Sequence, residues 1–217
     1  MNQVWYIYGA GGFGVEVLDI LQETAAFKTS GCTPCFVVDE VTVSIVAGVN
    51  VCGVDAVPEG AWVTIGVGEP ATRQKLFNKA QTKGWVLKSI VSPRAFVSDS
   101  AMLEDGVIIA PFVSIQARAH VAKNVAVNTA AIIGHDCRVE AHTGISSQVN
   151  LGGGVVVGEV SYIGMGAIIQ EGLSVGHASI VGMGAVVHRS VPDAVVSLGH
   201  PARVARRNED NQVFPSK

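Results

Sequence analysis

Residues 91–187 read VSPRAF VSDSAM LEDGVI IAPFVS IQARAH VAKNVA VNTAAI IGHDCR VEAHTG ISSQVN LGGGVV VGEVSY IGMGAI IQEGLS VGHASI VGMGAV V. Cut every six residues, each block opens on Val, Ile or Leu, from Val91 through Ile133 to Val187, 17 times in succession. The residue two places earlier is usually small or β-branched (Ala95, Ala101, Val107, Ala119, Cys137, Thr143), and glycine often follows directly (Gly134, Gly152, Gly158). A period of six is neither the 3.6 of a helix nor the 2 of an alternating strand. It fits a solenoid in which each flat side is one short strand, the large aliphatic fills a narrow interior and the small residue lets the chain turn. Three blocks make a triangular coil of about 18 residues, and successive coils pair as parallel strands about 4.8 Å apart. The pattern does not set the hand of the coil.

Before this stretch the pattern is different. Val4 to Tyr8 is a short apolar run suited to a buried strand, followed by a glycine turn and a helical pattern through Val15, Val17, Leu18 and Leu21. Cys35 to Asp39, Trp62 to Val67 and Trp85 to Val91 read as further strands, and Pro70 opens a helix with Leu76 and Phe77 inward. Val41 to Gly60 carries no helix signal and reads as extended strands or loop. Strands alternating with helices predict a small parallel sheet with crossover connections. The expected layout is a half-Rossmann-like α/β domain over residues 1–90, a parallel β-helix over 91–204 and a tail over 205–217, with Asn208 to Lys217 expected to be disordered.

Composition narrows the function. The 217 residues are 48% hydrophobic and only 15% charged, which allows a sizeable core and suggests that some surface is covered by another copy of the chain. A net charge of −3 supplies no field for nucleic acid or anionic membrane. The opening MNQVWYIYGAGG lacks the basic and long apolar regions of a signal peptide, and no apolar run reaches the ~18 residues of a spanning helix, so a cytoplasmic protein is expected. Cys32 and Cys35 have a CxxC spacing without a second pair, and the four cysteines read as ordinary reduced thiols.

His135 stands two residues after Ile133, at an outward corner. Its neighbours in the same column, 18 residues away, are Ala117 and Gly153, so the imidazole has open space beside it. Gly153 lies in Leu151-Gly152-Gly153-Gly154, where backbone N–H groups can approach a ligand. A base beside backbone donors suits acyl transfer: the base takes the proton of an attacking amine and the N–H stabilises the oxyanion. Asp136 could support the imidazolium, although neighbouring corner residues need not touch. The competing reading of His135 is a solvent-facing corner residue. The six histidines do not share columns, so no metal site arises within one chain, and a site shared between subunits, as in a metal hydratase, stays open as an alternative.

Gly9-Ala10-Gly11-Gly12-Phe13-Gly14 matches GxGxxG after a strand and before a helix, a context in which backbone N–H groups hold a phosphate. Asp39 and Glu40 at the end of the next strand are candidates for ribose or base. Arg73 could meet phosphate, but a lone helix arginine is more often solvated.

The whole layout, with this glycine loop, Ser92-Pro93-Arg94-Ala95, the hexads, Asn128-Thr129, Gly134-His135-Asp136-Cys137 and Gly199-His200-Pro201-Ala202, resembles the sialic-acid O-acetyltransferase and bacillosamine N-acetyltransferase family. The resemblance implies a left-handed coil, a homotrimer, acetyl-CoA as co-substrate without metal, and an amino group on a nucleotide-linked sugar (UDP-4-amino-4,6-dideoxy type) as acceptor. It implies catalytic roles for His135, Asp136, Gly153 and Asn128. Gly9, Gly11, Gly12, Phe13, Asp39 and Glu40 would bind the nucleotide sugar. Gly144, Gly153, Gly164, Gly166, Gly182, Gly184, Gly199, Pro201 and Arg203 would line the CoA path, with Arg206 and Arg207 near its phosphates. The chain departs from the family in carrying Gly144 where many relatives have a second histidine, His142 standing two earlier, and Gly134 in place of an acid or aromatic. O-acetylation of a sugar and a non-catalytic scaffold are the rival readings.

Overall fold

The computed structural model describes residues 3–210 and 212–214. Its first part is a sheet in the order β3-β4-β2-β1-β5-β6, with β1 Val4–Tyr8, β2 Thr33–Val38, β3 Ile45–Val46, β4 Val49–Gly53, β5 Trp62–Ile65 and β6 Val86–Leu87. All pairings are parallel except the β3–β4 hairpin, which accounts for the segment read as extended strands or loop. Helix α1, Gly12–Glu23, follows the glycine turn; α2, Ala25–Ser30, is capped by Thr24 Oγ1, and α3, Pro70–Thr82, opens on proline. Ile7, Phe36, Val63 and Ile65 are fully buried, as expected for strands covered on both faces. The strand read from Trp85 to Val91 divides in two: Val86–Leu87 closes this sheet, and Ile90–Val91 is the first rung of the coil.

From Ile90 onward two-residue strands stack at a register of 18, as in Ile90, Ile108, Ala126, Gly144, Tyr162 and Ile180. They form three sides of a parallel β-helix. The first side contains that column, the second contains Phe96, Ser114, Ile132, Asn150, Ile168 and Val186, and the third contains Met102, His120, Arg138, Val156 and Ser174. The second residue of each strand is the aliphatic column residue, and Ile109, Ile115, Ile133 and Ile163 are fully buried.

The corners use a device the sequence reading missed. From Gly106 to Gly184 one residue per block has a positive φ, at Phe112, Arg118, Asn124, Ala130, Asp136, His142, Gln148 and so on, with glycine at Gly106, Gly154, Gly166, Gly172 and Gly184. Left-handed backbone costs a non-glycine residue about 1 kcal/mol. The cost is offset because most of these N–H groups bond the coil below, as Asp136 N–H does to Ala117 O (3.0 Å) and Val160 N–H to Ala141 O (3.0 Å), while Arg118 N–H donates to Ser100 Oγ (3.1 Å).

Two boundaries need correction. Strand Arg203–Arg207 pairs antiparallel with Val195–Leu198, so the ordered sheet runs past residue 204. The expected disorder of Asn208 to Lys217 does not hold where it is described: Asn208 is buried, and the N–H groups of Val213 and Phe214 bond the Glu69 carboxylate. Asn211 and residues 215–217 lie outside the described residues.

The α/β domain covers the first side of the coil. A buried arginine joins the two parts. Arg73 on α3 donates to Ile65 O and Val67 O in its own domain and to Asn124 O and Oδ1 in the coil, all within 2.8–2.9 Å. It is wholly buried, so neither the solvated nor the phosphate-binding reading holds; burial pushes its pKa down to about 9. Asn124 Nδ2 donates to Arg73 O and to Nδ1 of His142, whose ring meets Phe77 edge-on.

Candidate active site

The corner between the second and third sides carries His135, Asp136 and Gly153. His135 is exposed, and its Nδ1 lies 2.7 Å from Asp136 Oδ2. The two side chains do touch, because Asp136 is one of the left-handed corner residues (φ 60°). Arg118, one coil earlier, forks onto the same carboxylate with Nε–Oδ1 2.6 Å and Nη2–Oδ2 2.8 Å. Arg118, and then His135, hold the Asp136 pKa down to about 2. A carboxylate ionised at every working pH accepts the Nδ1 proton and leaves the Nε2 lone pair facing outward. Arg118 was missed, yet it stands 18 before Asp136, the column rule already applied to Ala117 and Gly153.

The ring lies over Gly153. A Cβ there would sit 2.5 Å from Cε1 and Nε2 of His135. Gly152 and Gly154 N–H are taken by Ile169 O and His135 O, while Gly153 N–H meets no acceptor among the described residues. Cys137 points inward, buried, and donates to Gly152 O, with burial raising its pKa. His142 is enclosed in the interdomain seam and faces Asn124 and Phe77, away from the His135 corner. Burial, with Arg73 and Lys123 nearby, pushes its pKa down to about 4.

The corner between the first and second sides carries the other candidates. Asn128 and Gly144 line a cavity of about 370 Å³ between coil and α/β domain, with Phe13, Val67, Gly68, Glu69, Tyr162 and Phe214. Asn128 Oδ1 is buried without a hydrogen-bond partner among the described residues, so the cavity offers an unused acceptor. Gly144 belongs to this cavity rather than to the glycine-rich edge. Further along the same corner run Gly164, Gly166, Gly182 and Gly184, ending at the Gly199–Arg203 turn, where Val186 N–H bonds Gly199 O. Gly166 and Gly184 have open space above them; at Gly164 a Cβ would strike the backbone at Met183 N, so packing alone requires glycine there, whereas at Gly182 it would meet only the tip of the exposed Leu198 side chain.

In the glycine loop, Gly9 (φ 113°) and Gly14 are needed for packing: a Cβ on Gly14 would sit 2.0 Å from Gly9 O. Gly11 and Gly12 face open space at the start of α1 and are available to a phosphate. Asp39 accepts from Tyr8 Oη (2.6 Å) and pairs with Lys79, which lowers its pKa; Glu40 beside it is exposed. Cys35 approaches Cys52 (Sγ–Sγ 3.6 Å) rather than Cys32, and all four cysteines are thiols. Among the described residues no group of three or more His, Cys, Asp or Glu could hold a metal ion, and no helix is long and apolar enough to cross a membrane.

A hexad coil with an acid-supported corner histidine and a glycine-loop domain defines a class, the hexapeptide-repeat acyltransferases. Comparison with known proteins narrows it. Residues 5–80 match the PglD N-terminal domain family. The chain is 29% identical over 216 residues to GDP-perosamine N-acetyltransferase of Escherichia coli O157:H7, covering 93% of this chain and 96% of that one. A histidine-to-asparagine variant of perosamine N-acetyltransferase from Caulobacter crescentus, solved with CoA and GDP-perosamine, superposes with a TM-score of 0.85 at 31% identity, covering 94% and 97% of the two chains. The acetyltransferase domain of PglB from Neisseria gonorrhoeae superposes with a TM-score of 0.85 at 32% identity, covering 94% and 100%. The chain belongs to the left-handed β-helix acetyltransferases of the sialic-acid O-acetyltransferase and bacillosamine N-acetyltransferase family.

Proposed function

We propose that this protein transfers acetyl from acetyl-CoA to the amino group of a nucleotide-linked amino sugar. Its two full-length perosamine relatives make a GDP-linked 4-amino sugar the first candidate, ahead of the UDP-linked sugar expected at first. The observation that carries the reading is the imidazole held by an ionised carboxylate above a glycine that has no side chain to displace it.

In this reading the Nε2 lone pair of His135 takes a proton as the neutral sugar amine attacks the thioester carbon. The Gly153 N–H meets the oxyanion. Collapse of the tetrahedral species breaks the C–S bond, and the CoA thiolate leaves with the proton that His135 returns. Asp136 faces the imidazolium that forms in between. The nucleotide extends from Asp39 past the open amides of Gly11 and Gly12, and the sugar enters the cavity at Asn128.

One side of the prism separates that cavity from His135 on the same chain, so the reading requires a second copy. The second side fits this. Its outward residues Phe96, Ser114, Ile132, Asn150, Ile168 and Val186 include no charge, and Phe96 and Ile168 are 62% and 48% exposed. The first side is already covered and the third carries Arg138. Packing the bare side around a threefold axis brings the cavity and glycine edge of one protomer to the His135 corner of the next. The test is thiol release from acetyl-CoA with GDP-perosamine as acceptor, run alongside UDP- and dTDP-linked amino sugars and free sialic acid. Turnover with sialic acid alone, or with no acceptor, overturns the reading.

A further inference from the structure

The C-terminal segment returns to the cavity at which the sugar is proposed to bind. The Val213 and Phe214 N–H groups donate to the Glu69 carboxylate at 3.0–3.2 Å. Glu69 is the residue that precedes α3, yet its side chain makes no capping bond to that helix. Its carboxylate holds the tail instead. Phe214 meets Tyr162 edge-on, centroids 5.4 Å apart at 76°. Both rings lie against side-chain-free surfaces, Tyr162 over Gly144 and Phe214 over Gly68. With Phe13 from the glycine loop they give the cavity three aromatic walls, each from a different part of the chain.

We propose that Phe214 is a specificity-determining residue of the acceptor site, held there by Glu69, and that it packs on the apolar face of a deoxy amino sugar. The inference rests on the acetyltransferase reading above. Aromatic rings suit the C–H face of a pyranose and a 6-methyl group. A hydroxyl in the methyl position would be buried against carbon without a partner, which costs more than a lost contact. Glu69 acts through the tail and is a positioning residue.

The experiment is steady-state kinetics with each substrate varied in turn, on the wild type, Phe214→Ala, a chain ending at Asp210, Glu69→Ala, and Glu69→Ala in the shortened chain. Phe214→Ala and the shortened chain should each raise KM for GDP-perosamine roughly tenfold, leaving KM for acetyl-CoA and the melting temperature unchanged. Both should also narrow the preference for the 6-deoxy acceptor over its 6-hydroxy counterpart. Glu69→Ala should reproduce the loss in the full chain and add nothing in the shortened one. Equal kinetics in the wild type, Phe214→Ala and the shortened chain overturn the inference while leaving the acetyltransferase intact. A wild type inactive on every nucleotide-linked amino sugar overturns the underlying reading instead.

Discussion

Arg118, Asp136 and His135 form a hydrogen-bonded chain whose last member is the imidazole. Because Arg118 keeps Asp136 ionised far below neutrality, any inflection of the pH–rate profile above pH 4 should belong to a group other than Asp136. His135→Ala should lower kcat by two to four orders of magnitude with an unchanged circular-dichroism spectrum; full activity would remove the mechanism. Gly153→Ala should do nearly as much without touching the histidine, since its new methyl must displace the ring from 2.5 Å. A crystal structure of that variant with the ring unmoved would contradict the geometry. His135 and Gly153 were legible from the sequence by counting in eighteens. Arg118 is equally legible, 18 residues before Asp136 in the adjacent column.

At the scale of the turn, the aliphatic column was fully legible, because a buried prism tolerates little else at those positions. Which residue takes the left-handed backbone was not legible, since Phe, Arg, Asn, Ala, Asp, His, Gln, Val and Gly all fill that slot. Ladder hydrogen bonds override local preference there. Two glycines two residues apart separate backbone strain from crowding. Gly154 has positive φ and nothing within 4 Å of a Cβ, so Gly154→Ala should lose only about 1 kcal/mol. Gly152 has ordinary φ, but its Cβ would lie 2.6 Å from Glu171 N, so Gly152→Ala should lose about 3 kcal/mol. Urea titration of the two variants decides the order.

Across the whole molecule, the seat of the α/β domain on the coil was invisible in the sequence, because neither periodicity says which residues meet. Arg73 looked like a surface residue and is the joint. Arg73→Lys should weaken the protein by about 3 kcal/mol despite keeping the charge, since an ammonium cannot reach four acceptors in two directions. The seam also titrates. His142 is held neutral by burial down to about pH 4, whereas in the unfolded chain it takes up a proton near 6.5. The unfolded state therefore binds more protons between those values, so stability falls as pH drops from about 6.5 towards 4. Melting temperatures of wild type and His142→Gln across that range should converge on acidification; parallel curves would show that His142 plays no part.

The register of 18 sets how the coil can change length. Every column, from the interior aliphatics to the Arg118–Asp136 pair, depends on the same spacing, so the coil behaves like a message with a reading frame. Losing one residue between two strands would turn the next aliphatic outward and shift every later column out of phase unless a corner loop absorbs the change at once. Extra residues fit where a corner can bulge into solvent, or as an entire turn of the spiral. Lengthening by a full turn between Gly153 and Gly164 would keep every side chain facing its own way while moving the histidine one storey further from the glycine edge.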